Sequence, residues 1–250
     1  MKKYLISILC GLFLLPGCDY LNMVPEKDIE TIESIFEQRT KVEGWWIGVY
    51  ADLISLLQNS DKNLAFSASD EYTPSPVLYT SINLLPGFLV ANGQQMSQDP
   101  YGNIWAKMYQ LIRRANVFID NVDKTYNMTQ EDKDWWKADM KALKAYIYFE
   151  LLRTYGPICL IPVDLEMEDY QLPRQPVDTC FKEIVRLLDE AEPDIPRHSQ
   201  RSAIYGFTFT KEAIYALKAR VLVYAASPLF NGNIFYADFK NKNGELLFNP

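Results

Sequence analysis

The chain has 250 residues, of which 48% are hydrophobic and 14% aromatic, and its formal net charge at pH 7 is −7. This composition supplies enough apolar side chains for a folded core and excludes an intrinsically disordered chain. The acidic balance argues against a nucleic-acid-binding protein, because contacts to phosphate depend on an excess of lysine and arginine.

The N-terminal segment has the pattern of a secretory signal. Two lysines precede an apolar run from Tyr4 to Leu15, which is too short to span a membrane. The run leads into "LPGC", which resembles a bacterial lipobox, the motif whose cysteine is acylated and whose preceding peptide is removed. We therefore predict a signal peptide at residues 1–17, lipid attachment at Cys18 and a mature domain at residues 18–250. An ordinary signal peptide that contains a cysteine is the alternative.

Apolar residues recur at steps of three and four in five segments, and no segment shows a sustained two-residue alternation. The sequence therefore predicts an all-α fold. The first predicted helix carries an apolar stripe of six residues: Val42, Trp45, Trp46, Val49, Leu53 and Leu56. The second begins with Asp99 as a cap and Pro100 at its first position, and its stripe continues to Val122.

Three further helices are predicted downstream. The third starts at Thr129, which forms an approximate capping box with Asp132, and stops at Gly156. The fourth and fifth cover residues 181–191 and 210–227. The tetrapeptide "ALKA" occurs in the third and again in the fifth, after about two tetratricopeptide periods of roughly 34 residues. Together with short Pro/Gly connections, this favours a helical-repeat scaffold.

Two segments depart from the helical pattern. Residues 59–99 contain no clean helix, although they carry more aromatic residues than a disordered segment does. Residues 158–176 indicate an extended excursion between two helices. Because binding sites concentrate on loops held by rigid scaffolds, we expect the longer segment to be functional.

Enzymatic motifs are absent from the sequence. The single histidine, His198, lies in a polar loop, and there is no metal-spaced cluster, phosphate loop or nucleophile elbow. Asp70 and Glu71 are the only acids that suggest a glycosidase pair, and loop solvation or helix capping explains them better. We expect a protein without catalytic activity, metal or cofactor.

Two cysteines remain once the signal peptide and the lipid site are set aside. Cys159 and Cys180 both have apolar neighbours, which favours buried free thiols. A disulfide between them is the alternative, because the compartment outside the cytoplasm is oxidising.

The segment "KALKAYIYFELLRTYGPICLIP", from Lys141 to Pro162, is the most specific of several family-like stretches. "LIRRANVFIDNV" around Asn116, "ASDEY" and "GWWIGVYADL" accompany it. Together they resemble the SusD/RagB family, surface lipoproteins that bind nutrients for outer-membrane uptake systems of Bacteroidetes. Lys144 occupies a signature position where the family often has arginine. The other signature matches are Ala145, Tyr148, Phe149, Leu152, Tyr155, Gly156 and Pro162.

The resemblance implies a tetratricopeptide-like scaffold with long irregular ligand-binding loops, which packs on a SusC-like TonB-dependent transporter. It implies a lipid-anchored protein at the surface of the outer membrane that binds oligosaccharides and delivers them to that transporter. A peptide-binding RagB-like protein is the alternative, and a surface glycosidase is a third interpretation. Family members continue beyond this length, so we expect an N-terminal portion of the family domain.

Four residues of the long loop are the predicted ligand contacts: Asp70, Tyr72, Tyr79 and Asn83. Aromatic rings stack on the apolar faces of sugars, and carboxylate and amide groups bond to hydroxyls. The loop also lies outside the apolar stripes that build the core. For any single ring, core packing is the alternative.

Overall fold

The computed structural model describes residues 31–58, 104–164, 171–200 and 202–248. Six α-helices lie within these ranges: α1 Ile32–Phe36, α2 Arg39–Gln58, α3 Trp105–Asn121, α4 Gln130–Tyr155, α5 Val177–Ala191 and α6 Lys211–Ala225. Short 3₁₀-helices lie at Val122–Lys124, Glu192–Asp194, His198–Gln200, Ala203–Tyr205 and Ile234–Tyr236. The described residues contain no strand beyond one antiparallel bridge between Lys240 and Leu246. The predicted all-α fold is confirmed.

The helix ends agree with the predicted helix boundaries at three points. Thr129 Oγ1 accepts a hydrogen bond from the Asp132 backbone N–H (3.1 Å), and the Thr210 side chain accepts one from Ala213. Gly156 follows the last residue of α4 with φ of 71°, a conformation that is strained for residues with a Cβ atom. The predicted start of the second helix lies outside the described residues, and α3 begins at Trp105.

The long helices pack in chain order, each chiefly on the next: α2 on α3, α3 on α4, α4 on α5 and α5 on α6. This is the arrangement of a helical-repeat array, as predicted. The central helix is α4, and its fully buried residues include Trp136, Met140, Leu143, Ile147 and Leu151. Its second half is buried on nearly all sides, as its apolar sequence predicts.

A buried carboxylate joins three parts of the chain in this core. Asp139 on α4 accepts hydrogen bonds from Trp46 Nε1 (2.8 Å), the Tyr50 hydroxyl (2.8 Å) and the Phe209 backbone N–H (2.9 Å). Its exposure is 0%. Because a buried carboxylate is costly without donors, these bonds fix α2 and the residues before α6 against α4.

Candidate functional site

The predicted ligand contacts lie outside the described residues: Asp70, Tyr72, Tyr79 and Asn83. The predicted lipid attachment at Cys18 lies outside them as well. The two helices that flank the long segment are described, since α2 ends at Gln58 and the described chain resumes at Ile104. The structure therefore shows the side chains around the point where the segment joins α3.

An aromatic cluster with an arginine lies at this point, and we call Trp105, Tyr109, Tyr155 and Arg174 the Trp105 cluster. The Trp105 ring centroid lies 4.9 Å from that of Tyr109 and 5.2 Å from that of Tyr155, the latter in an edge-to-face arrangement. The Arg174 guanidinium carbon lies 4.9 Å from the Trp105 centroid, in cation–π geometry. All four side chains are half-buried, so the cluster presents rings and a cation at the surface.

Backbone hydrogen bonds hold the members of the Trp105 cluster in place. The Ile104 N–H donates to the Tyr155 hydroxyl (2.9 Å), which ties the start of α3 to the end of α4. Arg174 Nη1 donates to the Tyr155 carbonyl (3.3 Å). The Tyr109 hydroxyl donates to the Cys159 carbonyl and accepts from the Cys159 N–H, both at 2.9 Å. Burial raises the pKa of Tyr109, so the hydroxyl keeps the proton that it donates.

Three buried side chains anchor the segment that follows Gly156. Asn116 Nδ2 donates to the Pro162 carbonyl (2.8 Å), and Lys144 Nζ donates to the Ile161 carbonyl (3.0 Å). The Tyr148 hydroxyl accepts from the Ile161 N–H (2.8 Å). The two ends of this excursion also bond to each other, because the Gln175 N–H donates to the Ile158 carbonyl (2.8 Å). The neighbouring Arg174 is thereby placed beside Trp105.

Comparison with known proteins identifies the family. The sequence model of the SusD-like family, described as "Starch-binding associating with outer membrane", matches residues 19–223. The chain belongs to the SusD-like family. No curated protein matches it.

Solved structures share the SusD-like fold. BT4246 is 28% identical with a TM-score of 0.66, and the match covers 82% of this chain and 34% of that one. A SusD-like protein from Bacteroides fragilis, BF3747, is 24% identical, with a TM-score of 0.59 and coverage of 76% and 36%. A laminarin-binding SusD-like protein is 22% identical, with a TM-score of 0.62 and coverage of 75% and 40%. The SusD-like chain matches about a third of the length of BT4246.

The SusD-like signature residues of this chain are structural anchors. Lys144 is 2% exposed, and burial lowers its pKa to about 8. Its ammonium group lies 5.5 Å from the Tyr148 ring and bonds to the Ile161 carbonyl. Asn116 is 1% exposed, and its Oδ1 accepts no hydrogen bond within the described ranges. The signature therefore positions the segment that carries Arg174.

Sequence reasoning missed Trp105 and Arg174 as site residues of this SusD-like protein. Trp105 fits the apolar stripe of α3, and Arg174 lies in a polar stretch without a motif. A tryptophan at the first position of α3, soon after the segment for which no helix is predicted, is the one sequence signal at this candidate site. The arginine carries no sequence signal, because packing alone brings it to the ring from 69 residues downstream.

The two remaining cysteines of the SusD-like chain are free thiols, as predicted. Cys180 is buried, its Sγ donates to the Gln175 carbonyl (3.4 Å), and burial raises its pKa to about 12. Cys159 is half-buried rather than buried, and desolvation raises its pKa as well. Both thiols therefore stay protonated at neutral pH and are poor nucleophiles.

His198 lies exposed in a 3₁₀-turn, and its backbone N–H donates to Glu212 Oε2 (3.0 Å). Across the described ranges, no group of three or more His, Cys, Asp and Glu residues is placed to hold a metal ion. None of the helices described above is both long enough and apolar enough to span a bilayer. The acids suggested for a glycosidase pair, Asp70 and Glu71, lie outside the described residues.

Proposed function

We propose that the protein is a lipid-anchored, surface-exposed outer-membrane protein that binds oligosaccharides and delivers them to a SusC-like TonB-dependent transporter. The observation that carries this proposal is the family match over residues 19–223, whose description names starch binding and association with the outer membrane. A neighbour of the same fold is named for laminarin binding, which supports a glycan as the ligand class.

The Trp105 cluster supports binding through its chemistry. A half-buried indole offers apolar area for the face of a sugar ring, at low cost in side-chain entropy. A guanidinium carries five N–H donors, and Arg174 directs one of them to the Tyr155 carbonyl. We propose that Trp105 and Arg174 act together with the loop contacts Asp70, Tyr72, Tyr79 and Asn83.

The proposed role is capture without turnover. Stacking on rings and hydrogen bonding to hydroxyls bind a sugar in its ground state and do not favour a transition state. Neither Trp105 nor Arg174 supplies the pair of carboxyl groups that glycoside hydrolysis requires. Incubation of purified protein with oligosaccharide should leave the chain length of the sugar unchanged.

Calorimetry against a panel of starch-derived and laminarin-derived oligosaccharides tests the proposal. We expect binding by the wild-type protein, and a roughly tenfold loss of affinity for Tyr79→Ala because one stacking ring is removed. Circular dichroism checks that the variant is folded. Peptide binding without glycan binding contradicts the proposal and favours the RagB-like alternative, whereas shortened sugar products favour the glycosidase.

Anchoring and partnership are tested separately in cells. The proposed lipid site predicts that Cys18→Ala leaves the precursor unprocessed, as globomycin treatment of the wild type does. Native purification in mild detergent should recover a TonB-dependent barrel together with the lipidated protein. A mature, unlipidated form cut at another residue contradicts the anchor, and reproducible purification without a barrel contradicts the partnership.

A further inference from the structure

A second concave surface lies at the opposite end of α4 from the Trp105 cluster. It has a volume of about 840 Å³ and is bounded by the first two turns of α4 and by residues 193–200 and 202–211. Its lining includes Gln130, Asp134, Trp135, Asp194, Gln200 and Tyr205. We call it the α4 groove. Trp135 and Tyr155 are 20 residues apart on one helix, so the groove and the Trp105 cluster are separated by about 30 Å.

The aromatic wall of the α4 groove is held rigidly. The Trp135 ring lies edge-to-face with Tyr205 at 5.5 Å and with the fully buried Trp46 at 5.6 Å. The Tyr205 hydroxyl donates to Glu43 Oε1 (2.8 Å), which fixes the second ring against α2. Because the rings are already ordered, a ligand that contacts them meets little further entropy cost.

The opposite wall is also fixed by contacts within the described chain. Lys211 Nζ pairs with Glu192 Oε1 (3.1 Å) and donates to the Pro193 carbonyl (3.2 Å). The charge of Lys211 is therefore matched by a partner outside the groove lining. Glu131, Asp134 and Asp194 line the groove and form no ion pair within the described ranges. The groove consequently repels anions.

Hydrogen-bonding groups of both kinds point to one ligand class. Gln130 Nε2 donates to Asp134 Oδ1 (2.9 Å), and Gln200 Oε1 accepts from the Arg197 N–H (3.3 Å). These pairings leave the second carboxylate oxygen of Asp134 as an acceptor and the amide nitrogen of Gln200 as a donor. A cation uses acceptors only, whereas each sugar hydroxyl both donates and accepts. Two rings beside mixed donors and acceptors therefore favour a neutral polyhydroxylated ligand.

We propose that the α4 groove is a second saccharide-binding site, which takes a short neutral oligosaccharide. The volume is within the usual range for small-ligand sites. This proposal rests on the proposed function of glycan capture and adds a site about 30 Å from the first. A long glycan that contacts both sites dissociates more slowly than a short one, because the second contact is intramolecular.

The test uses the whole protein with ¹⁵N-labelled tryptophan side chains, titrated with maltohexaose and laminarihexaose. The indole signal of Trp135, assigned from a Trp135→Phe variant, reports on the α4 groove, and calorimetry reports total binding. We expect the Trp135 signal to shift in a saturable manner with at least one of the two sugars. Asp134→Ala and Gln200→Ala should each weaken that saturation roughly threefold to tenfold, through the loss of one hydrogen bond.

A matched control is Asp238→Ala, which removes an exposed carboxylate outside the groove and should leave the Trp135 titration unchanged. If calorimetry detects binding but the Trp135 signal does not shift, the groove proposal is wrong and the proposed function is unaffected. No binding by either measurement overturns both. The groove proposal is also wrong if the Trp135 signal saturates with the same affinity in Asp134→Ala, Gln200→Ala and Asp238→Ala, because the sugar then binds elsewhere.

Discussion

Two aromatic clusters that each include a residue of α4 differ in what they do for the molecule. Near Asp139, Trp46 and Trp136 are fully buried and stack with their ring centroids 4.4 Å apart. Trp46 Nε1 and the Tyr50 hydroxyl donate inward, to the Asp139 carboxylate. Around Trp105 the rings are half-buried, and the charged neighbour is Arg174, a donor at the surface. The first cluster therefore stabilises the fold, and the second leaves rings and donors at the surface.

The strongest way to break this comparison is Asp139→Ala. The change leaves Trp46 Nε1, the Tyr50 hydroxyl and the Phe209 N–H without their acceptor. We expect a loss of about 3–5 kcal/mol in the free energy of unfolding, measured by urea denaturation. Asp134→Ala, on the same helix but half-buried, is the control and should cost less than about 1 kcal/mol. Equal losses for the two variants contradict the structural role of the Asp139 cluster.

Lys144 is buried in α4 between the two clusters along the helix, and it bonds to the Ile161 carbonyl in the segment that follows α4. Its pKa is about 8 in the folded protein and 10.5 when exposed, so the unfolded chain binds more protons between these pH values. The contribution of Lys144 to stability should therefore rise with pH across this window, by about 1.5 kcal/mol from about pH 8 to about pH 9.5. Below about pH 7 both states are protonated, and the contribution is constant.

The measurement is urea denaturation of the wild type and of Lys144→Met at several pH values in this window. The difference in stability between the two proteins should grow with pH by this amount. The thiols of Cys159 and Cys180, whose raised pKa lowers stability in the same window, titrate in both proteins and cancel in the difference. Burial raises the pKa of Tyr109 and Tyr148, which lowers stability above about pH 10, so higher pH values are left out. Identical pH profiles for the two proteins contradict a buried lysine with a lowered pKa.

Trp105→Ala tests the difference between the two clusters through its effect on ligand binding. Loss of the indole should lower oligosaccharide affinity roughly tenfold in calorimetry, with a smaller loss of stability than Asp139→Ala. Trp45→Ala is the matched control, because Trp45 is also half-buried and lies under an arginine, Arg114, at 5.6 Å. Trp45 lies on α2, away from the Trp105 cluster. If both variants lose affinity equally, the Trp105 cluster is not a specific site.

The smallest expected effect is that of Arg174→Met, which keeps an apolar stem and removes the guanidinium. Affinity should fall roughly threefold, the effect of one surface cation–π and donor contact. Arg220→Met is the control, since Arg220 lies 5.6 Å from the Phe149 ring on another surface. Unchanged affinity for Arg174→Met would assign the arginine a purely structural role.

The helix boundaries show which structural features can be predicted from local sequence. Thr129, Thr210 and Gly156 act within a few residues of themselves, so their capping roles were predictable. The start of α5 was less predictable. Val177 precedes the predicted apolar stripe by four residues, and its backbone N–H donates to Leu247 O, 70 residues downstream. A cap supplied by a distant part of the chain leaves no local signal.

The sequence by itself determined the all-α class, the caps at Thr129 and Gly156 and the stacking of helices in chain order, and its resemblance to known sequences indicated the family. The first three follow from apolar periodicity and from contacts between residues close along the chain. Tertiary structure decided which tryptophans are buried around Asp139 and which lie at the surface with Arg174. It also buried Lys144 and joined residues 130–135 with residues 193–200 and 202–211 in the α4 groove. The contacts around Asp139, Trp105 and the α4 groove depend on partners about 50 or more residues away, and such partners leave no periodic trace in the sequence.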